Sequence, residues 1–272
     1  MNLIEAFVLG ILQGAAEFLP ISSSGHLVLV PWWLGWDSPP LVYDVAVHVG
    51  TTTAIIIYFW QDWLRLLQAG LTALRQRTIR ETEAKLLLFI IVGTLPAALA
   101  GMFLEDYFEE TFSEPALVAA MLLVTAALLT ISEQITASQK NLDSMTWIDA
   151  ILIGFAQAVA IVPGISRSGS TISAGLSRNI IREGSARFSF LLATPIILGA
   201  GAKKLLDILT GSERVDSDLG LALFVGYISS AAVGYFCIAF LMNYLRQRRL
   251  YGFAVYCVMF GLVSLIAALI RG

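Results

Sequence analysis

Charge is what this chain has least of. Only 14% of its 272 residues are Asp, Glu, Lys or Arg, where an ordinary soluble domain carries about 25%. Hydrophobic residues make up 57% and the mean hydropathy is +0.79. So few charged side chains cannot cover so much apolar material in water, and part of the solvent must be lipid. The net charge of −3 excludes a protein that grips nucleic acid by neutralising its phosphates. The two cysteines, Cys237 and Cys257, both lie in apolar runs, which leaves no disulfide framework and no thiolate metal site. The first residues carry Glu5 where a secretory signal needs basic groups, so the N-terminus reads as mature protein. No GxxxxGK[ST] loop is present, and a nucleotide is not indicated.

What is there is long and apolar. Leu86–Leu104, Pro115–Ser132, Leu219–Leu245 and Leu250–Ile270 run without a charge, each near the roughly 20 residues that cross a hydrocarbon core. Val45–Gln61 and Phe188–Ala202 are shorter, but Asp62, Arg65, Lys203 and Lys204 at their ends can snorkel to the interface. These six predict spans at about 41–63, 85–104, 115–133, 187–207, 219–245 and 250–270. Two further apolar stretches, 5–35 and 148–178, are each broken by a Pro/Ser/Gly tip. Their halves are too short to cross alone, and non-helical backbone at membrane depth survives only where protein or a wet cavity satisfies it. Each reads as a re-entrant helical hairpin.

An offset of 144 positions carries the first hairpin onto the second: Gly10 onto Gly154, Gln13 onto Gln157, Ser22 onto Ser166, Ser24 onto Ser168 and Gly25 onto Gly169. A hairpin followed by three spans inverts the next copy. The expected fold is therefore an all-α integral membrane protein, one domain built as an inverted-topology repeat (1–140 and 145–272) with six transmembrane helices and two re-entrant hairpins, about ten helices in all. Basic residues orient it. Arg65, Arg75, Arg77, Arg80 and Lys85 mark one cytoplasmic loop, Arg178, Arg182 and Arg187 a second, and Arg246, Arg248 and Arg249 a third. Acidic loops at Glu105–Glu114 and at Glu213, Asp216 and Asp218 face the other side. Both termini then lie outside. The basic run 65–80 also suits an interfacial helix.

The tips carry the chemistry. The first reads Glu17-Phe-Leu-Pro-Ile-Ser22-Ser23-Ser24-Gly25-His26 and the second Pro163-Gly-Ile-Ser166-Arg167-Ser168-Gly169-Ser170-Thr171. A half-helix that starts at such a tip offers unpaired N–H groups and the positive end of its dipole, and two facing each other make an anion site. Arg167 adds a forked cation matched to phosphate oxygens. Glu17 and His26 can move protons, and a serine hydroxyl can attack. Together they indicate phosphoryl transfer, with Gln13, Ser22, Ser24, Gly25, Ser166, Ser168, Gly169 and Thr171 around the bound anion. Several of the serines also suit plain helix caps. Asp44 and His48 share a helix face at i, i+4, and a local pair is as good a reading as a supporting role at the site.

These two tips closely resemble the paired signatures of the undecaprenyl-diphosphate phosphatases, the bacitracin-resistance protein family. So do Tyr43-Asp44-Val-Ala-Val-His48-Val-Gly50 and Phe188-Ser-Phe-Leu-Leu-Ala-Thr-Pro195, and the likeness runs along essentially the whole chain. The resemblance implies a multi-pass enzyme of the bacterial plasma (inner) membrane with its site open to the outer face. It would hydrolyse undecaprenyl diphosphate to the monophosphate, recycling the lipid carrier for peptidoglycan and conferring bacitracin resistance. It also implies dependence on a divalent cation, Mg²⁺ or Ca²⁺. The expected partners are the polyprenyl diphosphate and membrane lipid, with a homodimer left open. Residue by residue, Glu17, Ser23, His26 and Arg167 fall on catalytic positions, with Ser23 or His26 as nucleophile. Gln13 stands where many members carry Glu, and Ala16 where Thr is usual, which leaves the metal ligands unassigned. The rival readings are a transporter or flippase for a polyprenyl phosphate, since inverted repeats with broken helices typify transporters, and an anion channel, which a single Arg167 does not suit.

The charge asymmetry generates a direct test. In a cysteine-free background, a cysteine at position 76 should react with an impermeant thiol reagent only from the cytoplasmic side, and one at position 109 only from outside. Reaction of both from one side would overturn the threading.

Overall fold

The computed structural model describes residues 1–79, 81–112, 114–210 and 217–271. The side chains of Glu105, Asp106, Glu109, Glu110, Glu213, Asp216 and Asp218, on which the acidic-loop expectation rests, lie outside the described residues, as do Arg80 and Arg214. The described residues form eleven α-helices, one short 3-10 turn and no β-strand. Six helices are long and apolar enough to cross a membrane: α3 (Leu41–Tyr58), α5 (Thr82–Phe112), α6 (Pro115–Ile135), α9 (Arg182–Leu209), α10 (Ser217–Leu245) and α11 (Tyr251–Arg271). The protein is an all-α integral membrane protein.

The two interrupted stretches are helix pairs, α1 (Leu3–Phe18) with α2 (Ser23–Leu34) and α7 (Trp147–Val159) with α8 (Arg167–Ser177). Their capping repeats at the same offset of 144. Asn2 and Thr146 each accept from the backbone N–H three residues on, and Glu5 and Asp149 reach back to the cap's own N–H, a reciprocal box that satisfies two orphan donors. Ser22 and Ser166 cap α2 and α8 by accepting from Gly25 N at 3.1 Å and Gly169 N at 3.0 Å. The breaks have local causes. Leu19, preceding Pro20, turns extended (ψ 135°) and ends α1. Gly164 takes φ +91°, and a Cβ there would also lie 2.7 Å from Met121 Cβ, so the second turn requires glycine twice over.

The hairpins pack crosswise. α1 lies mainly on α10, from the other half of the chain, and α7 lies mainly on α5. The second contact is a close backbone approach: a Cβ on Gly154 would sit 2.9 Å from Gly93 Cα. The main apolar core joins the end of α1 to α3 and α9 through Phe18, Ile55, Phe59, Phe188 and Phe190, with Phe18 edge-on to Phe190 at 5.3 Å.

Two boundaries differ from the sequence expectation. α5 runs on to Phe112, through most of the stretch expected as an acidic loop. The span expected at 41–63 ends at Tyr58, and a separate helix, α4 (Trp60–Gln76), follows. It buries Leu66 and Ala69 while Trp60, Leu64, Leu67, Leu71 and Leu74 stay exposed. An apolar face interleaved with Arg65 and Arg75 suits the membrane surface better than its core, which is why the helix turns aside there.

Ion pairs gather the three basic segments at one end of the bundle. Arg187 of α9 pairs with Asp62 of α4, and Arg246 after α10 reaches Glu183 at 2.9 Å. Asp149 is held there by Lys140 and by Arg178 at 2.7 Å. Burial works to raise its carboxyl, but hydrogen bonds from Lys140, Arg178 and Thr146 outweigh that and hold it at about 2. Nearby, Arg182 grips Glu133 of α6 through two bonds of 2.8 and 2.5 Å, and Leu250 N donates to the same carboxylate at 2.9 Å. This clasp joins α6, α9 and the start of α11. Glu133→Ala should destabilise the protein by about 3–5 kcal/mol, because it leaves a largely buried guanidinium unpaired. Glu133→Met with Arg182→Met should recover most of the loss. Thermal unfolding in detergent distinguishes them, and an unchanged Tm for the single variant would show that the clasp is slack.

Candidate active site

The two hairpin tips meet. Gly164 N donates to Ser24 Oγ at 3.4 Å, and Ser168 Oγ donates to Leu19 O at 3.3 Å. Thr125 of α6 fastens the second tip, donating to Gly164 O at 3.2 Å and accepting from Ser166 N at 2.9 Å. The N-terminal ends of α2 and α8 thus share one region, as two half-helices must to combine their positive ends on an anion.

Glu17, in the last turn of α1 and only 5% exposed, is the hub. Its Oε1 accepts from Arg167 of α8. Its Oε2 accepts from Ser23 Oγ of α2 at 2.6 Å and from Gln13 Nε2 at 2.9 Å. His48 Nε2 of α3 stands 3.6 Å from the same oxygen. Four helices therefore deliver side chains to one carboxylate. Arg167 is steadied by Ser189 O of α9 at 3.3 Å. Thr171 braces the same turn through Arg167 O at 2.8 Å and Ser189 Oγ at 2.6 Å. A hydroxyl that donates to a buried carboxylate keeps its lone pairs free for attack, and a base already in place to take its proton is the arrangement of an activated nucleophile. The guanidinium beside it supplies fixed positive charge for a phosphate.

The residues singled out in the sequence divide into groups. Gln13, Glu17, Ser23 and Arg167 come together, and His48 joins them. Ser22 and Ser166 spend their hydroxyls on capping, with Gly25 and Gly169 as the donors. Ser24 and Ser168 lock the tips to each other. Asp44 enters through its backbone, where its carbonyl receives His48 Nδ1 at 2.7 Å.

His26 is placed elsewhere. Its ring nitrogens lie 2.7 Å from Ser22 O and 2.7 Å from Tyr256 OH, and the ring stacks on Phe260 at 4.9 Å. Among the described residues it makes no hydrogen bond to Glu17 or Ser23. It instead steadies the backbone of Ser22, which at φ +71° sits in a strained region immediately before Ser23. The sequence reading did not single out Tyr256, Thr125 or Ser189. Ser189 alone had a signal, inside Phe188–Pro195. Tyr256 and Thr125 look like ordinary span residues until the fold brings them to the tips.

A divalent cation does not fit a protein-made cage here. Among the described residues no group of three or more His, Cys, Asp and Glu gathers. Glu17 offers one carboxylate, engaged by Arg167, Ser23 and Gln13, so Mg²⁺ or Ca²⁺ at the tips would take most of its shell from diphosphate oxygens and water.

The family model described as bacitracin resistance protein BacA matches residues 6–263. The chain is 42% identical over 272 residues to the undecaprenyl-diphosphatase of Desulforudis audaxviator, with both chains covered completely. It is 43% identical over 271 residues to that of Pelotomaculum thermopropionicum, covering all of this chain and 98% of the relative. It is 40% identical over 271 residues to that of Elusimicrobium minutum, again with both chains fully covered. With that match over nearly its whole length, the chain belongs to the bacitracin resistance protein BacA family.

Proposed function

We infer that this protein is a membrane phosphatase that hydrolyses undecaprenyl diphosphate to undecaprenyl phosphate and inorganic phosphate. The observation that carries the reading is Ser23 Oγ donating to buried Glu17 at 2.6 Å beside Arg167. Relatives named undecaprenyl-diphosphatase support it over the full length. The product is the carrier lipid of peptidoglycan synthesis, and its recycling accounts for bacitracin resistance.

The chemistry follows from the donors. The incoming diphosphate competes with Glu17 for Arg167 and takes the fork, while the ends of α2 and α8 meet its remaining charge. Ser23 Oγ attacks the terminal phosphorus, its proton passes to Glu17 Oε2, and undecaprenyl phosphate leaves with the bridging oxygen. Water then attacks the phosphoserine, the P–Oγ bond breaks, and Glu17 returns its proton to Ser23 Oγ. His26 holds the tip in shape. No step requires a group from a second chain, so the chemistry is indifferent to a homodimer. A transporter or flippase would need the anion site but not a hydroxyl seated on a base.

On α3, the helix that carries His48, Val45 and Val49 line an apolar cavity of about 520 Å³ with Leu198, Gly201, Leu223 and Phe224. It suits the first isoprene units of the tail. The gathering of the three basic segments at one end supports a bacterial inner-membrane enzyme with both termini and the site's mouth on the outer side.

Purified protein given undecaprenyl diphosphate should release inorganic phosphate. Glu17→Gln, nearly isosteric, should still bind substrate but turn over at least about 100-fold more slowly. Arg167→Lys keeps the charge and loses the fork, and should lose about 2–4 kcal/mol of transition-state stabilisation, roughly 30- to 1,000-fold in rate. Normal phosphate release by both variants would defeat this assignment of the site.

A further inference from the structure

His48 has no part in the steps above, yet the structure aims it at them. We propose that His48 is a second proton-transfer residue of the site, which takes the proton of the water that attacks the phosphoserine. The proposal rests on the two-step phosphatase reading. In the second step Glu17 already carries the proton from Ser23 and must give it back to Ser23 Oγ. The attacking water loses a proton at the same moment and needs a different base, because one carboxylate cannot act as acid and base at once.

Three observations single out His48 for that role. Its Nδ1 lies 2.7 Å from the carbonyl oxygen of Asp44. A carbonyl only accepts, so Nδ1 carries the hydrogen, and in the neutral ring Nε2 holds the lone pair. That Nε2 faces Glu17 Oε2 at 3.6 Å, too long for a direct hydrogen bond but on the same oxygen that receives Ser23. The imidazole is 30% exposed where Glu17 is 5% exposed, so it is the more open of the two groups. His26 is unsuited, since both its nitrogens are taken up at the tip.

The water's second hydrogen also has an acceptor. Gln13 holds Glu17 through Nε2, while its Oε1 is buried and has no hydrogen-bond partner among the described residues. An amide oxygen left unpaired beside a reacting carboxylate costs stability unless a ligand or water completes it. The charged and titratable groups around His48 are Glu17 of α1 and Arg167 of α8, with Asp44 on its own helix and Tyr227 of α10 one turn along, bonded to Thr53 at 3.0 Å. In the balanced step, water's oxygen bonds to phosphorus and its proton goes to His48 Nε2. The P–Oγ bond breaks, and the proton on Glu17 goes to Ser23 Oγ.

The test separates the two half-reactions. His48→Gln, with substrate labelled in the terminal phosphate, should still release a burst of about one undecaprenyl phosphate per enzyme. Phosphate release should then be slower by roughly 100-fold, with label accumulating on Ser23. His48→Ala should behave alike, and added imidazole should restore turnover in the exposed space. Variants that release phosphate at the wild-type rate overturn the proposal. So do slow variants that retain the wild-type Tm, show no accumulated label and are not rescued by imidazole. If Ser23 takes up no label in wild type or in His48→Gln, while imidazole still rescues His48→Ala, the covalent reading fails instead, and His48 serves a water that attacks the diphosphate directly.

Discussion

The constraint on which the rest of this structure depends is the cost of unpaired backbone in hydrocarbon. Two helix pairs are broken inside apolar stretches, where free backbone groups must be satisfied by protein or by a wet cavity. Protein groups do much of this at the tips. Ser22 and Ser166 cap the starting half-helices, Thr125 pins the Gly164 turn, and Ser24 and Ser168 fasten the tips to each other. The same arrangement that satisfies the backbone collects two positive helix ends in one place. The proposed anion site is a by-product of solving the hairpin problem twice and pointing the solutions at each other.

A buried carboxylate converts that anion site into a reactive one. Glu17 would be prohibitively costly in this environment without its partners. Arg167 offsets the charge, while Gln13 and Ser23 complete one oxygen. In the proposed reaction the diphosphate takes the guanidinium from Glu17, which frees the carboxylate to accept the proton of Ser23. Four helices share the carboxylate, and small shifts of any one of them reach the chemistry. The clasp of Arg182, Glu133 and the start of α11 fastens α6, which carries Thr125, and α9, which carries Ser189, the two residues that brace the second tip and Arg167.

Much of the fold was legible because each signal is local. Spans announce themselves by length without charge, and the hairpin breaks by Pro20 and by Pro163-Gly164. The repeat showed as matching Gly, Gln and Ser at one offset, and the capping boxes at Asn2–Glu5 and Thr146–Asp149 follow it. The boundary at Tyr58 was missed because Val45–Gln61 is apolar enough to span. The turn into α4 is decided by where its leucines find lipid and its arginines find the surface.

By itself the sequence determined the solvent, the number of crossings, the two broken helices and the residue types at their tips, since composition and spacing encode these directly. It also placed Glu17, Ser23 and Arg167 as candidates, because a charge or a serine run inside an apolar stretch stands out without any fold. Only the tertiary structure decided which histidine faces Glu17. His26 lies three residues from Ser23 and turns away to Ser22 and Tyr256, while His48, on another helix, faces Glu17. Chain proximity does not fix the direction of a side chain on a helix. That direction is set by which neighbouring helix packs against each face, and such contacts come from residues distant in the sequence.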